Sequence, residues 1–279
     1  MNRTSAAVLF AMTLPALAGC AAVDRDAYAE TIARPAGMKR MTLPTDTFVL
    51  TTYTRLTTPR APITVYIEGD GLAWVSRTEP SRDPTPKEAM GLSLAALDRS
   101  PNVVYLARPC QYTPRDKNPS CTVDYWTGKR FAPEVITSIN QALDRIAARA
   151  PGQGLNLVGY SGGGAVAVLA AAERKDVISI RTIAGNLDHN EVNRLNDVSP
   201  LSGSLNAIDV AKKVKDIPQI HWSGGDDDTI PPSVAKHYAD ASKSACVRTQ
   251  TIPEATHDAG WKERWQTMLK ETPGCGGPA

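Results

Sequence analysis

The chain has 279 residues, 42% of them hydrophobic and 22% charged, with a formal net charge of +2. That length and composition belong to a soluble globular protein with room for one large α/β domain and a well-buried core. The near-zero net charge and the lack of a basic stripe interleaved with aromatics argue against a nucleic-acid binder, and the sequence holds no internal repeat, heptad run or long low-complexity segment.

Residues 1–20 stand apart. Arg3 supplies a short positive start, and Ala6 to Ala18 is an apolar run too short to span a bilayer in the usual way. This pattern reads as a secretory signal, to be set aside before the fold is considered. Its end, Leu17-Ala18-Gly19-Cys20, resembles a bacterial lipobox. The resemblance implies acylation of Cys20 and a membrane partner reached through that lipid; the alternative is ordinary secretory cleavage nearby. Ala21, where an aspartate would favour inner-membrane retention, points to an exported chain held at the outer membrane and facing the periplasm. Residues 21–45 then read as a polar, proline-containing tether, with the catalytic domain over 46–279.

Beyond the tether, apolar β-branched runs alternate with helical patterns. The runs 47–53, 63–67, 103–106, 155–158, 178–183, 217–222 and 247–252 predict strands, several of them continuously apolar as in parallel strands buried on both faces. Glu134 to Arg149 places Ile136, Ile139, Leu143 and Ile146 on one helical face, with Pro133 near its start. Ala165 to Glu173 is apolar nearly all round and predicts a buried helix. Trp261, Trp265, Met268 and Leu269 share a face near the end of the chain. Such alternation predicts a doubly wound, mostly parallel sheet with helices on both faces.

Gly159-Tyr160-Ser161-Gly162-Gly163 fits G-x-S-x-G. The pentapeptide alone arises by chance in roughly one chain in ten of this length, so its context must decide. It lies between a predicted strand and a predicted helix. No lysine follows as a phosphate-binding loop needs, and the glycine spacing is wrong for a dinucleotide fingerprint. A nucleophile elbow remains, with glycines two before and two after the serine allowing close backbone packing. An elbow requires an acid and then a histidine downstream, each after a strand. Of His189, His221, His237 and His257, only His257 lies after the last predicted strand and before the last helix. His221 falls within a strand and reads as a hydrogen-bonded core residue. The acid falls in Ser223-Gly224-Gly225-Asp226-Asp227-Asp228-Thr229-Ile230-Pro231; spacing from Gly224 and Pro231 favours Asp227 over Asp226 and Asp228, with Asp188 as fallback.

On these residues the chain resembles the α/β-hydrolase superfamily from about residue 46 to 272. More narrowly, residues 66–74 (YIEGDGLAW) and 107–112 (ARPCQY) resemble motifs of uncharacterised proteobacterial α/β-hydrolase lipoproteins. The resemblance implies acyl transfer through a serine ester on Ser161, with His257 as base and Asp227 orienting it. It also implies an oxyanion hole from the N–H of Gly162 and that of Asp70, or Gly71 next. Glu68 stands where many members have histidine, and is expected to pack under the loop against Arg108. No cofactor or metal is implied.

The segment from Pro109 to Phe131 should overhang the catalytic face, with Tyr112, Tyr125 and Trp126, along with Trp74 and Tyr160, as candidate pocket residues for a small acyl ester. No long insertion separates Leu187 from Asp209, so any cap is small. With Cys20 assigned to lipid, four cysteines remain, an even number that suggests disulfides in an exported chain. Three pairings are open; Cys110–Cys121, closing a short loop, and Cys246–Cys275, tying the last strand to the tail, are favoured. The expected activity is that of a serine esterase. A peptidase, amidase or acyltransferase on the same residues, or a catalytically silent binding lipoprotein, are the alternatives.

Overall fold

A computed structural model describes residues 24–276; the expected signal segment, 1–20, and Cys20 as its expected lipidation site lie outside the described residues. Eight strands, β1 (Lys39–Pro44), β2 (Val49–Leu56), β3 (Ile63–Ile67), β4 (Asn102–Leu106), β5 (Leu155–Tyr160), β6 (Val177–Ile183), β7 (Gln219–Gly224) and β8 (Val247–Ile252), form one sheet. Their order is β1-β2-β4-β3-β5-β6-β7-β8. The β1–β2 and β2–β4 pairs are antiparallel and all others parallel. The helices are α1 (Arg25–Ala33), α2 (Met90–Leu97), α3 (Pro133–Ala147), α4 (Gly162–Ala171), α5 (His189–Leu195), α6 (Pro232–Ser242) and α7 (Lys262–Met268).

The central strands β3 and β4 are buried along their whole length. Their alternate side chains feed two cores. Val65, Ile67, Val104 and Leu106 pack under α3, α4 and α6. Tyr66, Val103 and Tyr105 pack under α1, α2 and α7 with Trp222 and Trp265. Each such apolar side chain stabilises the fold by about 1.5–3 kcal/mol. Because β3 connects outward to β4 while β5 lies on its other side, a crevice opens at the carboxyl ends of β3 and β5.

The tether expected over 21–45 is, from Arg25 onward, part of the folded domain. β1 pairs with β2 from Lys39↔Thr54 to Pro44↔Val49. α1 buries Ala29 and Ala33 in the second core. Arg25 donates to the carbonyls of Asp83 and Thr85 and pairs with the Asp83 carboxylate at 3.1 Å. The domain therefore begins about twenty residues earlier than the sequence reading placed it, because backbone pairing and a distant ion pair hold a segment whose own pattern is polar. Both favoured disulfides, Cys110–Cys121 and Cys246–Cys275, are present.

Candidate active site

β5 ends at Tyr160, and α4 begins at Gly162. Between them Ser161 takes φ 50° and ψ −122°, a conformation costing a non-glycine residue about 1–3 kcal/mol. Neighbouring contacts hold it. Its N–H donates to the Ile183 carbonyl at 2.9 Å, and its carbonyl accepts from Gly164 and Asn186 at 2.9 Å each. The flanking glycines are required by space. A Cβ at Gly159 would lie 2.3 Å from the Gly163 carbonyl oxygen, one at Gly163 2.2 Å from that of Ile67, and one at Gly162 2.1 Å from Asp70 Oδ1.

His257 sits in the turn between β8 and α7. Its Nε2 is 3.0 Å from Ser161 Oγ, and its Nδ1 is 3.0 Å from Asp227 Oδ2. An ionised carboxylate only accepts, so Nδ1 carries the proton and Nε2 is free to accept from the serine. Asp227 is fully buried at its side chain, and its Oδ1 accepts from the N–H groups of Thr229 and Ile230 at 2.9 and 2.8 Å. Asp226 and Asp228 are exposed. Asp188 instead caps α5, accepts from Asn206 at 2.7 Å and lies 3.1 Å from His237 Nδ1. His221 is a core residue, bonded to Thr182 and Gln219, and burial pushes its pKa down to about 3.

After β3, the loop Glu68-Gly69-Asp70-Gly71 lies against the elbow. The N–H groups of Asp70, Gly71 and Gly162 donate to no protein acceptor among the described residues. Glu68 does not pair with Arg108 as expected. It is buried, and Oε1 accepts from Gly69 N–H at 2.9 Å and from Gly91 N–H, in the first turn of α2, at 3.1 Å. Oε2 has no hydrogen-bond partner among the described residues, and burial raises the pKa above the ordinary carboxylate value despite those bonds. The bare N–H groups of a helix start attract this carboxylate, leaving Arg108 to Asp70. Asp70 Oδ1 is 3.1 Å from Arg108 and Oδ2 is 2.7 Å from Arg130. Burial alone would raise the Asp70 pKa; the two guanidiniums outweigh it and hold the carboxyl below its ordinary value.

Ser161 and His257 open onto a cavity of about 770 Å³ whose walls include Leu72, Pro86, Met90 and Tyr160. Tyr160 is the one candidate pocket residue that lines it. Its hydroxyl donates to Asp258 Oδ1 at 2.7 Å and to the His257 carbonyl at 3.2 Å. Trp74 is 42% exposed and bridges to Pro80 outside this cavity. Tyr112 and Trp126 face a separate cavity of about 400 Å³. The expected overhang of 109–131 is thus a correction: no residue of that segment lines the Ser161 cavity. Trp126 is turned away because Nε1 donates to the Ser81 carbonyl at 3.0 Å, and Tyr112 because its N–H donates to Thr85 Oγ1 at 2.9 Å and its carbonyl accepts from Arg40. The Pro86 and Met90 walls carry no signal in the sequence, since the short apolar α2 has no clear period and its role depends on where β3 delivers the chain. Among the described residues no group of three or more His, Cys, Asp or Glu side chains is placed to hold a metal ion.

No family model matches the chain, and no curated protein does. Solved structures do. One is Est1E from Butyrivibrio proteoclasticus, at 16% identity and a TM-score of 0.59, covering 83% of this chain and 98% of that one. Another is a serine hydrolase without a lid from Xanthomonas campestris, at 15% identity and 0.53, covering 84% and 94%. The chain has the α/β-hydrolase fold. It also matches the acylaminoacyl peptidase of Pyrococcus horikoshii at 13% identity and 0.57, covering 84% of this chain but 40% of the peptidase.

Proposed function

We propose that the chain is a serine hydrolase that cleaves carboxylic esters through Ser161, His257 and Asp227. The observation that carries this is the continuous run of contacts from Ser161 Oγ through both ring nitrogens of His257 to Asp227, at 3.0 Å each, with the serine held at positive φ. His257 Nε2 takes the Ser161 proton as Oγ attacks the ester carbonyl carbon. The oxyanion faces the unpaired N–H groups of Gly162 and Asp70, with Gly71 adjacent. Collapse breaks the ester C–O bond, and His257 returns the proton to the departing alcohol. Water then attacks the acyl-serine by the same route and releases the acid. Asp227 holds the imidazole and offsets its transient charge.

The proposal extends to location: an exported protein anchored by lipid on Cys20 at the outer membrane. Four residues, 21 to 24, separate Cys20 from the start of α1 at Arg25, five steps with a reach of at most about 18 Å at 3.6 Å per residue. Arg25 is fixed on Asp83 and Thr85, next to Pro86 in the cavity wall. This short leash supports a substrate met close to the bilayer surface.

A fluorophosphonate probe tests the chemistry. It should label the wild-type protein and leave Ser161→Ala and His257→Ala unlabelled. A folded wild type that resists labelling and hydrolyses no p-nitrophenyl ester would leave a binding protein as the better reading. Parallel assays with matched amide substrates and alcohol acceptors separate ester hydrolysis from peptidase and transferase chemistry.

A further inference from the structure

We infer that Asp70, Arg108 and Arg130 form a charged brace that positions the oxyanion loop and turns its local charge positive. This rests on the serine-hydrolase reading above, in which the Asp70 N–H faces the oxyanion. A carboxylate beside that N–H would by itself oppose the developing negative charge. Here the carboxylate, which lies beside Gly162, meets two guanidiniums, with 3.1 Å to Arg108 and 2.7 Å to Arg130, so its single negative charge is more than offset by two positive ones.

The brace is itself anchored. Arg108 donates to the Arg130 carbonyl and lies 5.2 Å over the Phe131 ring. Arg130 Nε donates to the Thr127 carbonyl at 2.8 Å. Gln111 joins from the same turn: Nε2 donates to the Gly69 carbonyl at 3.0 Å, and Oε1 accepts from Arg108 N–H at 3.1 Å. Cys110, between Arg108 and Gln111, is clipped to Cys121. The loop is therefore gripped at two points, the Gly69 carbonyl and the Asp70 carboxylate. Both grips come from the segment after β4, which contributes nothing to the cavity wall. Arg108 and Arg130 are positioning residues; they touch Asp70 and not the substrate.

The test uses purified wild type, Arg130→Gln, Arg130→Lys and Asp70→Asn. Readouts are p-nitrophenyl acetate kinetics, thermal midpoint and amide hydrogen exchange at Gly69 and Leu72, whose N–H groups are bonded to Glu68 and the Pro84 carbonyl. Arg130→Gln should lose about 10- to 100-fold in kcat with KM within about twofold, as expected when an oxyanion donor is misplaced. Gly69 and Leu72 should exchange at least about tenfold faster, while α3 amides keep their protection. Arg130→Lys, which restores the charge, should recover most of kcat. Asp70→Asn, which cuts the loop free of both guanidiniums while keeping their charge, should speed exchange at Gly69 and Leu72 as Arg130→Gln does. The inference is overturned if Arg130→Gln keeps both kcat and loop protection, or if protection falls equally throughout the molecule. If the wild type hydrolyses no ester, the serine-hydrolase reading fails, and the exchange measurement alone decides whether the brace holds the loop.

Discussion

The segments after β8 and after β4 both leave the carboxyl edge of the sheet near Ser161, and both are rich in polar and aromatic residues. The first delivers a reactive group. Trp261 Nε1 donates to the carbonyls of Thr256 and His257 at 3.0 Å each, so the short turn is pinned by its backbone and the imidazole projects to Ser161. The second delivers struts. Trp126 spends its N–H on the Ser81 carbonyl, Tyr112 is clamped on both sides of its peptide, and Phe131 supports Arg108. Residue type nominates a side chain for a site. The partner of its polar tip decides whether it arrives there.

The largest expected effect lies with the partner of His257. Asp227→Asn should lower kcat by about 10⁴-fold, because an amide presented to Nδ1 favours the wrong tautomer. Asp226→Asn and Asp228→Asn, at exposed positions, should stay within about twofold. In the strut segment, Trp126→Phe should cost about 1–3 kcal/mol of stability through the orphaned Ser81 carbonyl and leave KM unchanged. A several-fold change in KM for Trp126→Phe would erase the distinction between the two segments.

Much of this was legible in the sequence. β3 and β8 begin and end where the apolar runs do, and the order serine, acid, histidine at three strand ends singled out Ser161, Asp227 and His257, which the structure brings together. α1 and β1 were not legible. β1 is an exposed edge strand with no buried alternate face, so its period-2 signal is absent. α1 is short, and its place is set by Arg25 reaching residues 58 and 60 positions away. The partner of Asp70 was equally hidden. Arg108 and Arg130 lie 38 and 60 residues from it, and the expected Glu68–Arg108 pair gave way because Glu68 is held by the N–H of its neighbour Gly69 and by that of Gly91 at the start of α2.

The two disulfides sharpen the same contrast at a smaller scale. Cys110–Cys121 spans 11 residues and Cys246–Cys275 spans 29. Loop closure makes each worth about 2–4 kcal/mol, slightly more for the longer. Replacing either pair with alanine should lower the thermal midpoint by about 2–4 °C for each kcal/mol lost. Activity should separate them. The Cys110–Cys121 clip holds the turn carrying Arg108 and Gln111, so its loss should lower kcat severalfold at unchanged KM. The Cys246–Cys275 clip ties the start of β8 to the tail, far along the strand from His257, so its loss should cost stability alone. Equal kcat values for the two double variants would mean that the β4 segment does not govern the oxyanion loop.

The smallest effect concerns Glu68, which lies beneath the loop that the β4 segment grips. Its folded pKa is raised above the ordinary 4.5, chiefly by burial. The folded protein therefore holds this proton at pH values where the unfolded chain has released it. Stability must then fall as pH rises above about 4.5, through the folded pKa. The sign is opposite to that of a carboxylate stabilised by ion pairs, such as Asp70, whose contribution is lost as pH falls. Glu68→Gln keeps an acceptor for Gly69 and Gly91 and removes the titration. Its thermal midpoint should match wild type near pH 4 and exceed it near pH 8, by about 2–4 °C for each kcal/mol of relief, with kcat within about threefold. Thermal melts of both proteins from pH 4 to 8 measure the difference. A gap that widens toward acid would show that Glu68 is ionised in the folded state and that its two backbone bonds, rather than burial, set its charge.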